Sequence, residues 1–124
     1  MTPPNVKTIT TVELVERFVS IAVDQDKALF DENNTKFNRL YRQMDDVTNE
    51  LKSRPNDQRS VLLALYNHPN VQVRLKAVLA TLDMSCELAR EALRKTANSP
   101  QFPDQAAGAL AALWRLDGKP PART

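Results

Sequence analysis

The chain has 124 residues, of which 42% are hydrophobic and 26% charged, and its formal net charge is +2. This length suits one domain, and the composition is that of an ordinary globular protein, which excludes a largely disordered chain. Two glycines and a single cysteine exclude a glycine-rich phosphate loop, an internal disulfide and a four-ligand zinc site. Because a lone cysteine fits a reducing compartment, and no apolar run approaches ~20 residues, we expect a cytoplasmic protein.

Helical spacing predicts two long helices at the start of the chain. Apolar residues recur at intervals of three and four through both segments. The first helix is expected over Val12–Phe30 with an N-cap at Thr10 or Thr11, and the second from Thr35 towards Pro55. A short polar link joins them, so we expect an antiparallel hairpin.

Shorter helices are expected in the second half of the chain. The first is expected to be capped by Asp57 and to reach Tyr66, and the others are expected over Val71–Leu82, Ser85–Ala97 and Asp104–Leu116. Gly118 follows the last of them, at a position where glycine favours the end of a helix. No segment alternates apolar and polar residues as a half-buried strand would.

One stretch resembles a HEAT repeat. In that family a leucine-rich first helix is followed by a proline turn, and a Val-Arg pair then opens the second helix. The residues that carry this resemblance are Leu62, Leu63, Leu65, His68–Asn70, Val73, Arg74, Ala77, Ala80 and Leu82. A weaker copy follows over Leu88–Leu116. We therefore predict an all-α fold of antiparallel helix pairs, stacked as a short, right-handed HEAT/armadillo-like array of about six helices.

We interpret residues 1–124 as a single helical domain. Its expected parts are a flexible arm at 1–10, a long helix hairpin at 11–54, two HEAT-like helix pairs at 57–117 and a flexible tail at 118–124.

Several segments in order also resemble a bacterial family, domain-of-unknown-function family 2019. These segments are Thr11–Phe18, Lys36–Tyr41, His68–Asn70, Val73–Ala77 and Ala112–Leu116. The resemblance implies an all-helical, armadillo-like fold and no particular activity.

The sequence offers little for catalysis, because it holds one histidine and one cysteine. We expect no enzyme, no cofactor and no metal site. His68, Pro69, Asn70 and Arg74 are expected to build a structural turn, with Arg74 bonding turn carbonyls in the adjoining repeat. Side chains expected to pack inside the protein are Cys86 and Trp114.

The polar face of the second helix is the richest candidate surface for a partner. Its residues are Asn38, Arg39, Tyr41, Arg42, Asp45, Asp46 and Asn49. Arginine and tyrosine are common at interface hot spots. The competing interpretation is an ordinary charged surface joined by spaced ion pairs.

These observations favour a protein-interaction scaffold, in its concrete form an immunity or adaptor protein that binds another protein of unknown identity. The alternative is nucleic-acid binding through the second half, where residues 57–124 carry a net charge of +3. The basic residues in question are Arg59, Arg74, Lys76, Arg90, Arg94 and Lys95. A homodimer is also possible, with the first helix pairing across a two-fold axis.

Overall fold

The computed structural model of the protein describes residues 5–118, and within them every regular element is helical. Five are α-helices: α1 Thr11–Phe30, α2 Asn34–Ser53, α3 Val71–Ala80, α4 Cys86–Ala97 and α5 Pro103–Asp117. Two are 3-10 helices, Val6–Thr8 and Gln58–Asn67. The prediction of an all-α fold is confirmed, and six of these elements have ten residues or more, as expected.

The first of two compact units, Met1–Leu63, is built around the α1–α2 hairpin. Thr10 caps α1 with a capping box, because its hydroxyl accepts the Glu13 N–H and its own N–H donates to the Glu13 carboxylate. The three residues between the helices leave room only for an antiparallel return. The apolar stripes of both helices form the core of this unit: Leu14, Phe18, Ile21, Ala22, Ala28, Leu40, Met44, Val47 and Leu51.

Arg54 holds the start of the chain against the hairpin. Its guanidinium donates to the carbonyl oxygens of Val6 at 3.1 Å and Ile9 at 2.6 Å, and its Nε pairs with Glu50 at 2.9 Å. Within the arm predicted at 1–10, Val6–Thr8 form a 3-10 turn. Residues 1–4 of that arm lie outside the described residues, as do residues 119–124 of the predicted tail.

The segment after the hairpin differs from the prediction. Asp57 was expected to cap an α-helix that reaches Tyr66. Its carboxylate does accept the Arg59 N–H at 3.3 Å, but the segment that follows, Gln58–Asn67, is a 3-10 helix. Asn56 and Asp57 have positive φ angles of 66° and 48°, so no right-handed helix can include them.

The boundary between the two units falls inside this 3-10 helix, after Leu63. Hydrogen bonding explains the position: Thr11 in α1 donates to the Gln58 side chain, whereas Tyr66 bonds the Thr81 hydroxyl beyond α3 at 2.5 Å. The two ends of one element are thereby tied to different parts of the chain. The first predicted HEAT-like pair is thus divided between the units.

The second unit, Ala64–Thr124, packs α3, α4 and α5 against one another. Its buried apolar core consists of Leu75, Val78, Ala89, Leu93, Ala109 and Ala112. Between α3 and α5, the buried amide of Gln105 donates to the Gln72 side chain at 2.9 Å. Gly118 ends α5 with a left-handed φ of 67°, as the sequence predicted.

Candidate partner-binding surface

The polar face of α2 lies in solvent over its whole length. All seven residues predicted for a partner are exposed: Asn38, Arg39, Tyr41, Arg42, Asp45, Asp46 and Asn49. The opposite stripe of the same helix is buried in the hairpin, so these side chains are turned away from the core. Tyr41 is 49% exposed, a large value for an aromatic side chain. We call these seven residues the α2 surface.

The charges of the α2 surface are not joined into ion pairs. Within residues 5–118, Arg39, Arg42, Asp45 and Asp46 form neither a salt bridge nor a hydrogen bond through their side chains. Helical spacing would have allowed Arg42 to pair with either carboxylate. The charged face of α4 differs, since Lys95 pairs there with Glu91 at 3.8 Å and Arg90 pairs with Asp117.

A pocket of about 410 Å³ adjoins the α2 surface within the first unit. Its lining residues are Asn5, Val6, Arg17, Ser20, Ile21, Asp24, Leu40, Gln43 and Asp46. Ile21 and Leu40 are each 5% exposed and supply an apolar floor. Asp24 and Asp46 add two carboxylates that bond no other described side chain. Arg17 also lines the pocket, so carboxylates and a guanidinium surround the apolar floor, and this combination suits a partner side chain with an apolar stem and a charged head.

The predicted structural turn is assembled by its own residues. Asn70 caps α3, accepting the N–H groups of Gln72 at 2.8 Å and Val73 at 3.1 Å. His68 Nδ1 accepts the Asn70 N–H at 3.0 Å. The imidazole and the amide are therefore used in shaping the chain at this point.

Arg74 closes the same turn. Its Nη1 donates to the carbonyl oxygens of His68 at 2.8 Å and Pro69 at 3.1 Å. The expectation that it bonds carbonyls of an adjoining repeat is wrong, because α3 begins directly after the turn and brings Arg74 back over it.

The basic residues considered for nucleic acid are divided between the units, and several are engaged within the chain. Arg59 is 6% exposed and forms two bonds to the Asp57 carboxylate, at 2.8 and 2.6 Å. The hydrogen bond from Arg59 lowers the pKa of Asp57. In the second unit, the hydrogen bond and charge of Asp117 raise the pKa of Arg90.

Two side chains expected inside the protein lie at its surface. Cys86 is exposed at the first position of α4, and Trp114 is 50% exposed on α5. Trp114 shares the exposed face of α5 with Leu110, four residues earlier. Sequence periodicity contains a signal for this face, because apolar residues recur on two sides of α5, and only one side can face the core.

Residues 5–118 hold no cluster of three or more histidine, cysteine, aspartate or glutamate side chains that could bind a metal ion. No helix in the same range combines the length and apolarity needed to cross a bilayer.

Comparison with known proteins agrees with the helical architecture. The crystal structure of the protein RPA1889 from the bacterium Rhodopseudomonas palustris CGA009 superposes with a TM-score of 0.88 at 38% sequence identity. The match covers 98% of this chain and 100% of that one. No curated protein matches the chain. The family described as a domain of unknown function, DUF2019, matches residues 12–117. The chain therefore belongs to the DUF2019 family.

Proposed function

We propose that this protein is a helical scaffold that binds another protein through the α2 surface and the adjoining pocket. It acts by binding, without catalysis of its own. More specifically, the protein is a cytoplasmic immunity or adaptor protein that sequesters its partner. Its scaffold is a stack of HEAT-like helix pairs. Such stacks present extended surfaces for recognition.

The unpaired charges of the α2 surface carry this proposal. Charges at helical spacing can pair on a solvated face, as Glu91 and Lys95 do on α4. Arg39, Arg42, Asp45 and Asp46 leave their donors and acceptors available instead. Charges of both signs give specificity and orientation more than bulk affinity.

Tyr41 and the pocket supply apolar contact area, which the charged side chains of the α2 surface do not. An aromatic side chain that is half exposed can bury a large apolar area at a small cost in side-chain entropy. Asp46 belongs both to the α2 surface and to the pocket lining, so the two features are continuous. A partner helix or loop can lie on Tyr41 and insert one basic side chain between Asp24 and Asp46.

Affinity capture from the native bacterial host, followed by quantitative mass spectrometry, tests the proposal. The variant Tyr41→Ala/Asp46→Ala should lose a partner that the wild-type chain recovers in stoichiometric amount. The matched control is Glu91→Ala/Lys95→Ala, which removes an exposed pair on α4 and should retain the partner. Retention by the α2 variant, or recovery of no stoichiometric protein by the wild type, would refute the proposal.

Nucleic-acid binding is the alternative. Arg94 is exposed in the second unit, while Arg74, Lys76, Arg90 and Lys95 already contact groups of the chain. Binding through phosphates would appear as an affinity for DNA or RNA that falls steeply with added salt. Fluorescence anisotropy with labelled oligonucleotides at about 50 mM salt is the measurement, and no binding there removes the alternative.

A further inference from the structure

Helix α5 has two apolar faces, of which one is exposed. The core face contributes Ala109 and Ala112 to the second unit. The other face consists of Ala107, Leu110, Ala111 and Trp114, which we call the α5 stripe, and all four residues are exposed. Leu110 is 43% and Trp114 50% exposed, so the two largest members present their apolar surface to solvent.

The spacing of the stripe is that of a helix–helix seam. Its members stand at relative positions 0, 3, 4 and 7, which places them within a sector of about 100°. Alanines at two of the four positions permit close approach of a second helix backbone. Ala111, Trp114, Arg115 and Gly118 also line a shallow pocket of about 410 Å³ at the end of the stripe.

One acid and one base flank the stripe at its opposite ends. Asp104 and Arg115 are both exposed. Their eleven-residue separation rotates them by only about 20° relative to each other and spaces them by about 16 Å along the axis. Both residues therefore lie on the same edge of the stripe. Within the described residues neither forms a salt bridge, so their charges are available to a partner.

We propose that two copies of this protein associate through the α5 stripe, with the helices antiparallel about a two-fold axis. A two-fold axis perpendicular to both helices keeps each residue on the same side of the seam between the helices. It reverses the position of that residue along the helix axis. Asp104 of each copy therefore comes opposite Arg115 of the other, within about one helical turn. Trp114 of each copy packs over the small side chain of Ala107.

The self-complementarity of this face selects a second copy as the occupant. In a parallel arrangement the two-fold axis runs along the helices and moves Asp104 and Arg115 of the second copy to the opposite edge of the seam, so that neither charge meets a partner across it. The antiparallel arrangement forms two symmetric ion pairs and places a large residue against a small one at both ends. Because one helix pair buries less area than a standard interface, the dimer is expected to be weak and concentration-dependent.

Sedimentation equilibrium over a series of protein concentrations measures the dimer. Trp114 is the single tryptophan, so its emission reports the same event. We expect the average mass to rise towards twice the monomer value while the emission shifts to shorter wavelength. The variant Leu110→Lys should raise the dissociation constant by more than about thirtyfold, since each change acts at two symmetric positions. The matched control Leu88→Lys, at an exposed leucine of α4, should leave it unchanged.

Charge reversal tests the orientation. Asp104→Arg and Arg115→Asp should each weaken association by about tenfold at low salt, since each replaces two attractive contacts by two repulsive ones. Mixing the two variants should restore the dimer, because a heterodimer of one chain of each kind pairs every charge with its opposite. Circular dichroism of each variant establishes that the helices are intact.

Three results would overturn the proposal. The first is a monomer at every concentration up to about 1 mM, a concentration at which a Kd of 1 mM still corresponds to measurable association. The second is a dimer that is insensitive to Leu110→Lys, which would use another face. The third is a monomer whose tryptophan emission is already blue-shifted, which would place another part of the same chain on the stripe.

Discussion

The side-chain amide of Gln105 in α5 donates to the side-chain oxygen of Gln72 in α3 at 2.9 Å. Both residues are buried, with 5% and 2% of their surface exposed. A polar contact inside an apolar core is costly when half of it is missing. This bond therefore fixes which residues of α3 and α5 face each other in the second unit.

The two glutamines should be energetically coupled, so that replacing both costs less stability than the two single replacements added together. Gln105→Leu removes the donor while the Gln72 oxygen stays buried, and we expect a loss of about 1–3 kcal/mol in the free energy of unfolding. The double variant Gln72→Leu/Gln105→Leu should lose less than the sum of the two single variants, by roughly 0.5–1.5 kcal/mol. Urea unfolding of the four proteins measures the coupling, and strict additivity would contradict it.

Arg54→Ala should release the start of the chain. The guanidinium bonds Val6, Ile9 and Glu50, and its loss leaves two carbonyl oxygens without their charged donor. We expect a destabilisation of about 1.5–3 kcal/mol and faster amide exchange at residues 5–11. Arg54→Lys should rescue only part of this, because an ammonium group lacks the forked geometry of guanidinium.

Hydrogen exchange measured by mass spectrometry locates the effect of the Arg54 variants. The exposed Lys52→Ala, two residues earlier on α2, is the control and should leave exchange at residues 5–11 unchanged. Uniform acceleration across both units after Arg54→Ala would argue against a local tether.

Asp57→Asn should lower stability at neutral pH and have little effect in acid. Because Arg59 holds the Asp57 pKa below its ordinary value, the pair stabilises the fold above the unfolded pKa of about 3.9, and the contribution is lost as pH falls through the folded pKa. Asparagine suits the positive φ of 48° at this position. Urea midpoints should differ at pH 7 and converge below about pH 3; a constant difference would contradict the ion-pair account.

The two glycines should respond to alanine with opposite signs. Gly108 lies inside α5, where an added Cβ would meet Leu75 Cδ2 at 3.4 Å, an acceptable contact. Gly108→Ala should therefore stabilise by about 0.5–1 kcal/mol through helix propensity. Gly118 has a φ of 67°, so Gly118→Ala should destabilise by about 1 kcal/mol. Thermal unfolding compares both with the wild type, and equal signs would show that local backbone conformation does not decide the outcome.

Sequence periodicity predicted much of the candidate site as well as the helices. The α2 surface follows from one strongly amphipathic helix, whose buried stripe fixes which side chains remain outside. The absence of ion pairs among its charges was not predictable, because rotamers and neighbouring helices decide which groups meet. The pocket was also unpredictable, since Val6, Asp24 and Asp46 are far apart in the chain and are assembled by the hairpin.

The sequence by itself determined the features that depend on neighbours along the chain. Thr10 caps α1 and Gly118 ends α5 because capping and the left-handed backbone conformation are local properties. Only the tertiary structure decided the exposure of Trp114. An alanine-rich helix such as α5 has apolar residues on more than one face, and which face is buried depends on the helices that pack against it. In this protein α3 and α4 cover one face, and the α5 stripe with Trp114 stays outside.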